Sequence, residues 1–123
     1  MANVLVVDDS KFMRLILKNG IENDSGKKHK VVGEAEDGAS AVAKYKELKP
    51  DIITMDIIMP VESGLQAVQK IMELDPSAKI IMVSAMGQEK IVEEAMKLGA
   101  KGFVTKPVKN EELLASIEKI INQ

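Results

Sequence analysis

Five short apolar runs, separated by stretches with the 3.6-residue spacing of amphipathic helices, constrain this chain more than any other feature. The runs span residues 4–7, 31–35, 51–55, 79–83 and 102–104. Four are rich in β-branched residues and apolar at successive positions, as strands covered on both faces must be; 102–104 is the shortest. Between them, Ala41, Val42, Tyr45 and Leu48 form one helical stripe, and Ile91, Val92, Ala95 and Leu98 form a second. Leu113, Leu114, Ile117, Ile120 and Ile121 form the last. Ser10 and Asn110 are placed to cap the first and last helices, while Pro76 and Gly99 follow helical segments. The polar stretch 23–30 (NDSGKKHK) contains Gly26 and predicts a loop, with the sole histidine, His29, in solvent. Five βα units predict an α/β doubly wound parallel sheet carrying five helices. Right-handed crossovers leave few topologies, of which the order 2-1-3-4-5 is the commonest. With 123 residues, no repeat and no linker, one domain over 1–123 is expected.

Composition removes several function classes. At 46% hydrophobic and 29% charged the chain can bury a core, and its formal net charge of -2 argues against nucleic-acid binding through a basic field. There is no cysteine, hence no disulfide, thiolate metal site or thiol nucleophile. The amino-terminal stretch lacks the charged segment and long apolar run of a signal peptide. No apolar stretch approaches the roughly 20 residues of a membrane span, so a cytoplasmic location without membrane contact is expected.

In sheets of this class ligands sit beyond the carboxyl ends of the strands. Asp8-Asp9 follow the first run, Asp56 the third, Ser84-Ala85 the fourth, and Thr105-Lys106-Pro107 the fifth. Any one of these aspartates alone is ordinarily a turn or capping residue. Their conjunction with a hydroxyl and a Lys-Pro at successive strand ends is not what turn chemistry produces. Three converging carboxylates raise one another's pKa, and a hard divalent cation would relieve the repulsion. Mg²⁺ suits such a set, since it takes oxygen ligands and one or two carboxylates with phosphate oxygens; Lys106 would add a mobile positive charge opposite.

VLVVDDS (4–10), DIITMDIIMPVESG (51–64), KIIMVSAMG (79–87) and GAKGFVTKP (99–107) together resemble the receiver domains of two-component response regulators over essentially the whole chain. YKELKPDI, AKII and SAMGQ are similar to the stand-alone chemotaxis receivers, the CheY type, found outside the enteric bacteria. The resemblance implies the flavodoxin-like (βα)5 fold with no attached output domain, and a monomer. It implies Asp56 as phospho-acceptor, with Lys106 and Ser84 on the phosphoryl oxygens. Asp9 would be the main metal ligand and Asp8 would act through water. The Asp56 carboxylate and the Ile58 backbone carbonyl would complete a site for Mg²⁺, with Mn²⁺ able to substitute. Ser84 and Phe103 would form the switch, and the Lys106-Pro107 bond would be cis. The phosphodonor would be a histidine kinase of the CheA type. The output would be a motility-motor switch protein or an archaellum adaptor on the face bearing Glu89, Lys90, Glu93, Glu94 and Phe103. The chain would be no enzyme beyond catalysing its own phosphorylation and slow dephosphorylation.

Two departures stand out. Ile58, two after the acceptor, and Met86, two after Ser84, are apolar where polar groups could orient an attacking water; slow self-hydrolysis and a dedicated phosphatase are expected. The exposed side of the fourth helix is acidic, which fits a solvated face or a basic adaptor. Three other readings compete. A haloacid-dehalogenase-type phosphohydrolase needs a general acid where Ile58 stands. A flavodoxin-type carrier needs a phosphate loop where Asp8-Asp9 would repel phosphate. A stand-alone receiver in another phosphorelay uses the same residues.

Overall fold

Successive strand residues point to opposite faces of a sheet, so a run apolar at every position demands cover on both sides. The computed structural model, which describes residues 2–24, 26 and 28–123, supplies that cover. The elements are β1 (Ala2–Val7), α1 (Lys11–Asn23), β2 (His29–Ala35), α2 (Gly38–Leu48) and β3 (Ile52–Asp56), then α3 (Gly64–Leu74), β4 (Ile80–Ser84), α4 (Glu89–Leu98), β5 (Gly102–Thr105) and α5 (Asn110–Ile121). All strand pairs are parallel, in the expected order β2-β1-β3-β4-β5. Leu5, Val7, Ile53, Met55, Ile80 and Met82 pack in one layer with residues of α2, α3 and α4. Val4, Val6, Ile52, Ile81, Val83 and Val104 pack in the other with α1 and α5.

Each fully buried Ile or Leu stabilises by about 1.5–3 kcal/mol, against about 1 kcal/mol for a helix cap. Burial therefore sets the layers, and caps set where helices begin. Ser10 accepts from Met13 N at 3.2 Å to open α1, while Asp37 and Ser63 form capping boxes on α2 and α3. Gly99, at φ 124, ends α4 in a conformation that favours glycine.

Several expectations are corrected. Asn110 does not cap α5: it is the first helical residue, Lys109 precedes it without a side-chain bond, and its amide donates to Asp24 instead. In the predicted loop 23–30, Asn23 ends α1 and His29 and Lys30 begin β2, while Ser25 and Lys27 lie outside the described residues. His29 is 2% exposed: its Nδ1 accepts from Ala2 N at 3.1 Å and its Nε2 meets Glu118 Oε1 at 3.0 Å. A hydropathy scale scores imidazole as polar, but a ring with both nitrogens satisfied can be buried. The edge strands β2 and β5 are covered only in part, with Phe103 of β5 53% exposed. Among the described residues no helix is long and apolar enough to cross a membrane.

At the opposite end of the sheet from its carboxyl edge, the buried Tyr45 donates its hydroxyl to Asp75 Oδ2 at 2.6 Å. Burial, then that bond, pushes the phenol up; the same bond, with those from Ser77, holds Asp75 below the usual carboxylate range. A carboxylate depressed in the folded state stabilises above its unfolded pKa, and that stability is lost as pH falls through the folded value. Tyr45→Phe is expected to lower the urea midpoint at pH 7, with the deficit shrinking below about pH 4. Equal deficits at pH 7 and pH 3 would count against the pairing.

Candidate functional site

Parallel strands deliver all their carboxyl ends to one edge, and the register decides which side chains meet there. Asp8 and Asp9 leave β1, Asp56 is the last residue of β3, Ser84 the last of β4, and Lys106 follows β5. Asp56 pairs with Val83 and Ser84 with Thr105, and the backbone N–H of Lys106 donates to Ser84 O at 2.7 Å. Asp8, Asp9 and Asp56 each offer a carboxylate oxygen, all within 4.8 Å of one another. The expected convergence is present.

Asp56 is 7% exposed, and its Oδ1 accepts from Ile57 N at 2.9 Å and from Lys106 Nζ at 3.3 Å. Lys106 Nζ also stands 3.6 Å from Asp8 Oδ2. Burial, and next the charge of Asp8, raise the Asp56 pKa; Lys106 and the Ile57 N–H offset this only in part. Asp8 is buried; its Oδ1 accepts from Ser10 N at 2.9 Å, while among the described residues Oδ2 has no hydrogen-bond partner. Asp9 is exposed at the rim. Among the described residues one ammonium serves three carboxylates, and the buried Asp8 Oδ2 meets it only at ion-pair distance, an unfinished electrostatic arrangement. Hard oxygen donors within 4.8 Å of one another, with Asp9 open to solvent, fit a divalent cation of the Mg²⁺ kind.

Ser84 is not drawn onto Asp56. It is buried, and its hydroxyl makes a long contact with Val104 O at 3.5 Å. It also lines a groove of about 440 Å³ between α4 and β5, shared with Glu89, Val92, Glu93, Met96 and Phe103. Phe103 thus lies at the surface beside this groove, outside the core. Of the proposed partner face, Glu89, Glu93 and Phe103 line the groove, while Lys90 and Glu94 are exposed on α4 without lining it. Ile58 and Met86 are exposed at 65% and 90%, so neither apolar side chain is held in a core. The Lys106-Pro107 bond is cis.

Two supporting residues escaped the sequence reading. Gly64 opens α3 and donates its N–H to Ile57 O at 2.7 Å; a Cβ there would overlap the Asp56 carbonyl oxygen. Its only sequence signal was its place in the DIITMDIIMPVESG stretch. Arg14 of α1 donates Nη1–H to the Asp8 carbonyl oxygen at 2.7 Å and pairs through Nε with Glu34 Oε1 at 3.0 Å. An arginine on a helix gives no signal of that kind.

With this geometry in hand, comparison with known proteins is specific. The pattern of the response regulator receiver domain matches residues 4–118. The chain is 50% identical over 117 residues to the chemotaxis protein CheY of Thermotoga maritima, covering 95% of each. It is 45% identical over 119 residues to CheY of Bacillus subtilis, covering 97% of each. Among solved structures, the response regulator domain of Thermotoga maritima CheB superposes with a TM-score of 0.89 at 46% identity, over 98% of this chain and 96% of that one. The CheX-CheY-BeF3-Mg complex of Borrelia burgdorferi superposes at 0.88 and 37% identity, over 96% of this chain and 87% of that one.

A carboxylate raised in the folded state costs folding free energy when ionised, a cost present at pH values above the folded pKa and absent below the unfolded one. Asp56→Asn is therefore expected to raise the urea midpoint at pH 7 in a chelator. Added Mg²⁺ should stabilise the parent chain by mass action and the variant less. A variant that loses stability in chelator, or gains as much from Mg²⁺ as the parent, would contradict this account of the cluster.

Proposed function

The chain is a member of the response regulator receiver family, and on that premise we propose that it is a chemotaxis response regulator whose Asp56 accepts a phosphoryl group from a histidine kinase of the CheA type. The observation that supports this best is the buried Asp56 carboxylate, flanked by Asp8 and Asp9 and touched by Lys106. A carboxylate oxygen of Asp56 attacks phosphorus as the bond to the donor nitrogen breaks. Charge in this loose transition state spreads over the equatorial oxygens, so positioning and neutralisation supply the catalysis. Asp8, Asp9, Asp56 and the Ile58 carbonyl would hold Mg²⁺, or Mn²⁺ in its place, which would supply charge neutralisation there. Lys106 needs only a small movement from Asp56 Oδ1, 3.3 Å away, to take a phosphoryl oxygen.

Ser84 links the site to the surface. To reach the phosphoryl group its hydroxyl gives up the long contact with Val104 O and turns out of the groove wall. Phe103 can then rotate inward, and the surface of α4, β5 and α5 changes shape. A difference of a few kcal/mol between two states suffices, so phosphate and a motor switch protein or archaellum adaptor favour the same one. The Borrelia relative solved with CheX, beryllofluoride and magnesium supports both the cation and a dedicated partner protein, here taken as the phosphatase. Beyond its own phosphorylation and slow dephosphorylation the chain acts on no substrate. Ile58 offers no proton to a leaving group, which disfavours the phosphohydrolase reading.

With Mg²⁺ and acetyl phosphate, the protein is expected to gain one phosphoryl group by intact mass, and Asp56→Asn none. Label retained in the variant would refute the assignment. In the labelled protein, Ile58→Asn combined with Met86→Glu is expected to hasten loss of phosphate, because polar groups there can orient water. Decay at the parent rate or slower would leave the apolar rim without that role.

A further inference from the structure

We propose that Arg14 is a positioning residue for the divalent cation, fixing the peptide between Asp8 and Asp9 and with it the Cα from which the Asp9 carboxylate projects. The inference rests on the reading of Asp8, Asp9 and Asp56 as a cation site.

Asp8 is held at three points. Its N–H donates to Ala35 O at 3.0 Å, its Oδ1 accepts from Ser10 N at 2.9 Å, and its carbonyl oxygen accepts from Arg14 Nη1 at 2.7 Å. Asp9 has no such anchors: among the described residues its exposed carboxylate makes no hydrogen bond. The preceding peptide therefore sets the point from which its side chain projects. That peptide is planar, so fixing the Asp8 carbonyl oxygen also fixes the bond leading into Asp9. The group that fixes it is itself immobilised. Arg14 is only 13% exposed at its side chain, and its Nε meets Glu34 Oε1 of β2 at 3.0 Å. Two contacts from one rigid fork set the plane of the guanidinium, which a lysine with a single nitrogen cannot reproduce. The helix fixes the other end, since Arg14 N donates to Ser10 O at 3.0 Å in the first turn of α1.

Charge and geometry make opposite demands here. A guanidinium beside the acidic loop by itself opposes a bound cation, and removing it should tighten Mg²⁺ binding. A guanidinium that places Asp9 does the reverse. Glu34 reconciles the two by pairing with the positive charge while holding the fork in place.

The test is titration of the full chain with Mg²⁺ alone, by calorimetry and by amide shifts of Asp9, Ser10 and Lys11, for the parent, Arg14→Met and Arg14→Lys. Urea unfolding confirms that each variant is folded under the titration conditions. Arg14→Met is expected to weaken Mg²⁺ by about tenfold, the scale of losses for outer partners of metal ligands. Arg14→Lys is expected to weaken it as well, although charge is retained. Lysine is as good a helix former as arginine, so this variant decides the matter should the methionine variant fail to fold. Affinity within twofold of the parent in Arg14→Lys, or tighter binding in Arg14→Met, overturns the proposal, as does lowered stability with Mg²⁺ affinity unchanged. A parent chain that binds no Mg²⁺ overturns the cation site itself, a result separable from the failure of Arg14 alone.

Discussion

Repulsion among Asp8, Asp9 and Asp56 is the constraint from which the chemistry of this molecule follows. Parallel strands bring them to one edge, where among the described residues one ammonium, Lys106, reaches two of them at 3.3 and 3.6 Å. Burial weakens solvent screening at Asp56 and Asp8, so the imbalance is felt more strongly than on an open surface. The cluster costs stability in exchange for affinity toward a cation and, through it, toward phosphoryl oxygens. The rest of the fold withstands that cost because both faces of the sheet are packed.

Around the acids, support is built from backbone contacts. Gly64 lets α3 begin against the carbonyl of Asp56, and Ile57 N donates to the Asp56 carboxylate, so this residue is fixed from both sides. Arg14 and Ser10 do the same for the β1 end. Asp9, exposed at the rim, and Asp8 Oδ2, which meets only Lys106 Nζ at 3.6 Å among the described residues, are the groups a cation would meet. Ser84 occupies the boundary between this rigid edge and the groove beside α4, where one hydroxyl can answer to either. The groove opens on a face lined by Phe103 and the acidic residues Glu89 and Glu93, so events at Asp56 have a short route to a surface that a partner can touch.

How much was legible in the sequence depends on how local each feature is. The order of elements and the strand ends could be placed because apolar spacing reports burial residue by residue; Val4 through Val7 are all buried, as their run demands. Asp56 and Lys106, 50 residues apart, could be assigned to one edge because strand ends share it. His29 was misplaced because its burial depends on Glu118 and Ala2, residues far away along the chain. Asn110 was misread because its amide meets Asp24 across the gap between α5 and the end of α1.

By itself the sequence determined the layered parallel architecture, the carboxyl edge as the reactive end, and the identity of the acids and the lysine placed there. Periodicity and strand order suffice for those, since they depend on which face and which end a residue occupies. Only the tertiary structure decided that Lys106 contacts Asp56 while Ser84 turns to Val104, that Phe103 stands at the surface, and that Arg14 grips the Asp8 carbonyl. Those are choices of rotamer and partner, made by register and packing among residues that no spacing rule connects.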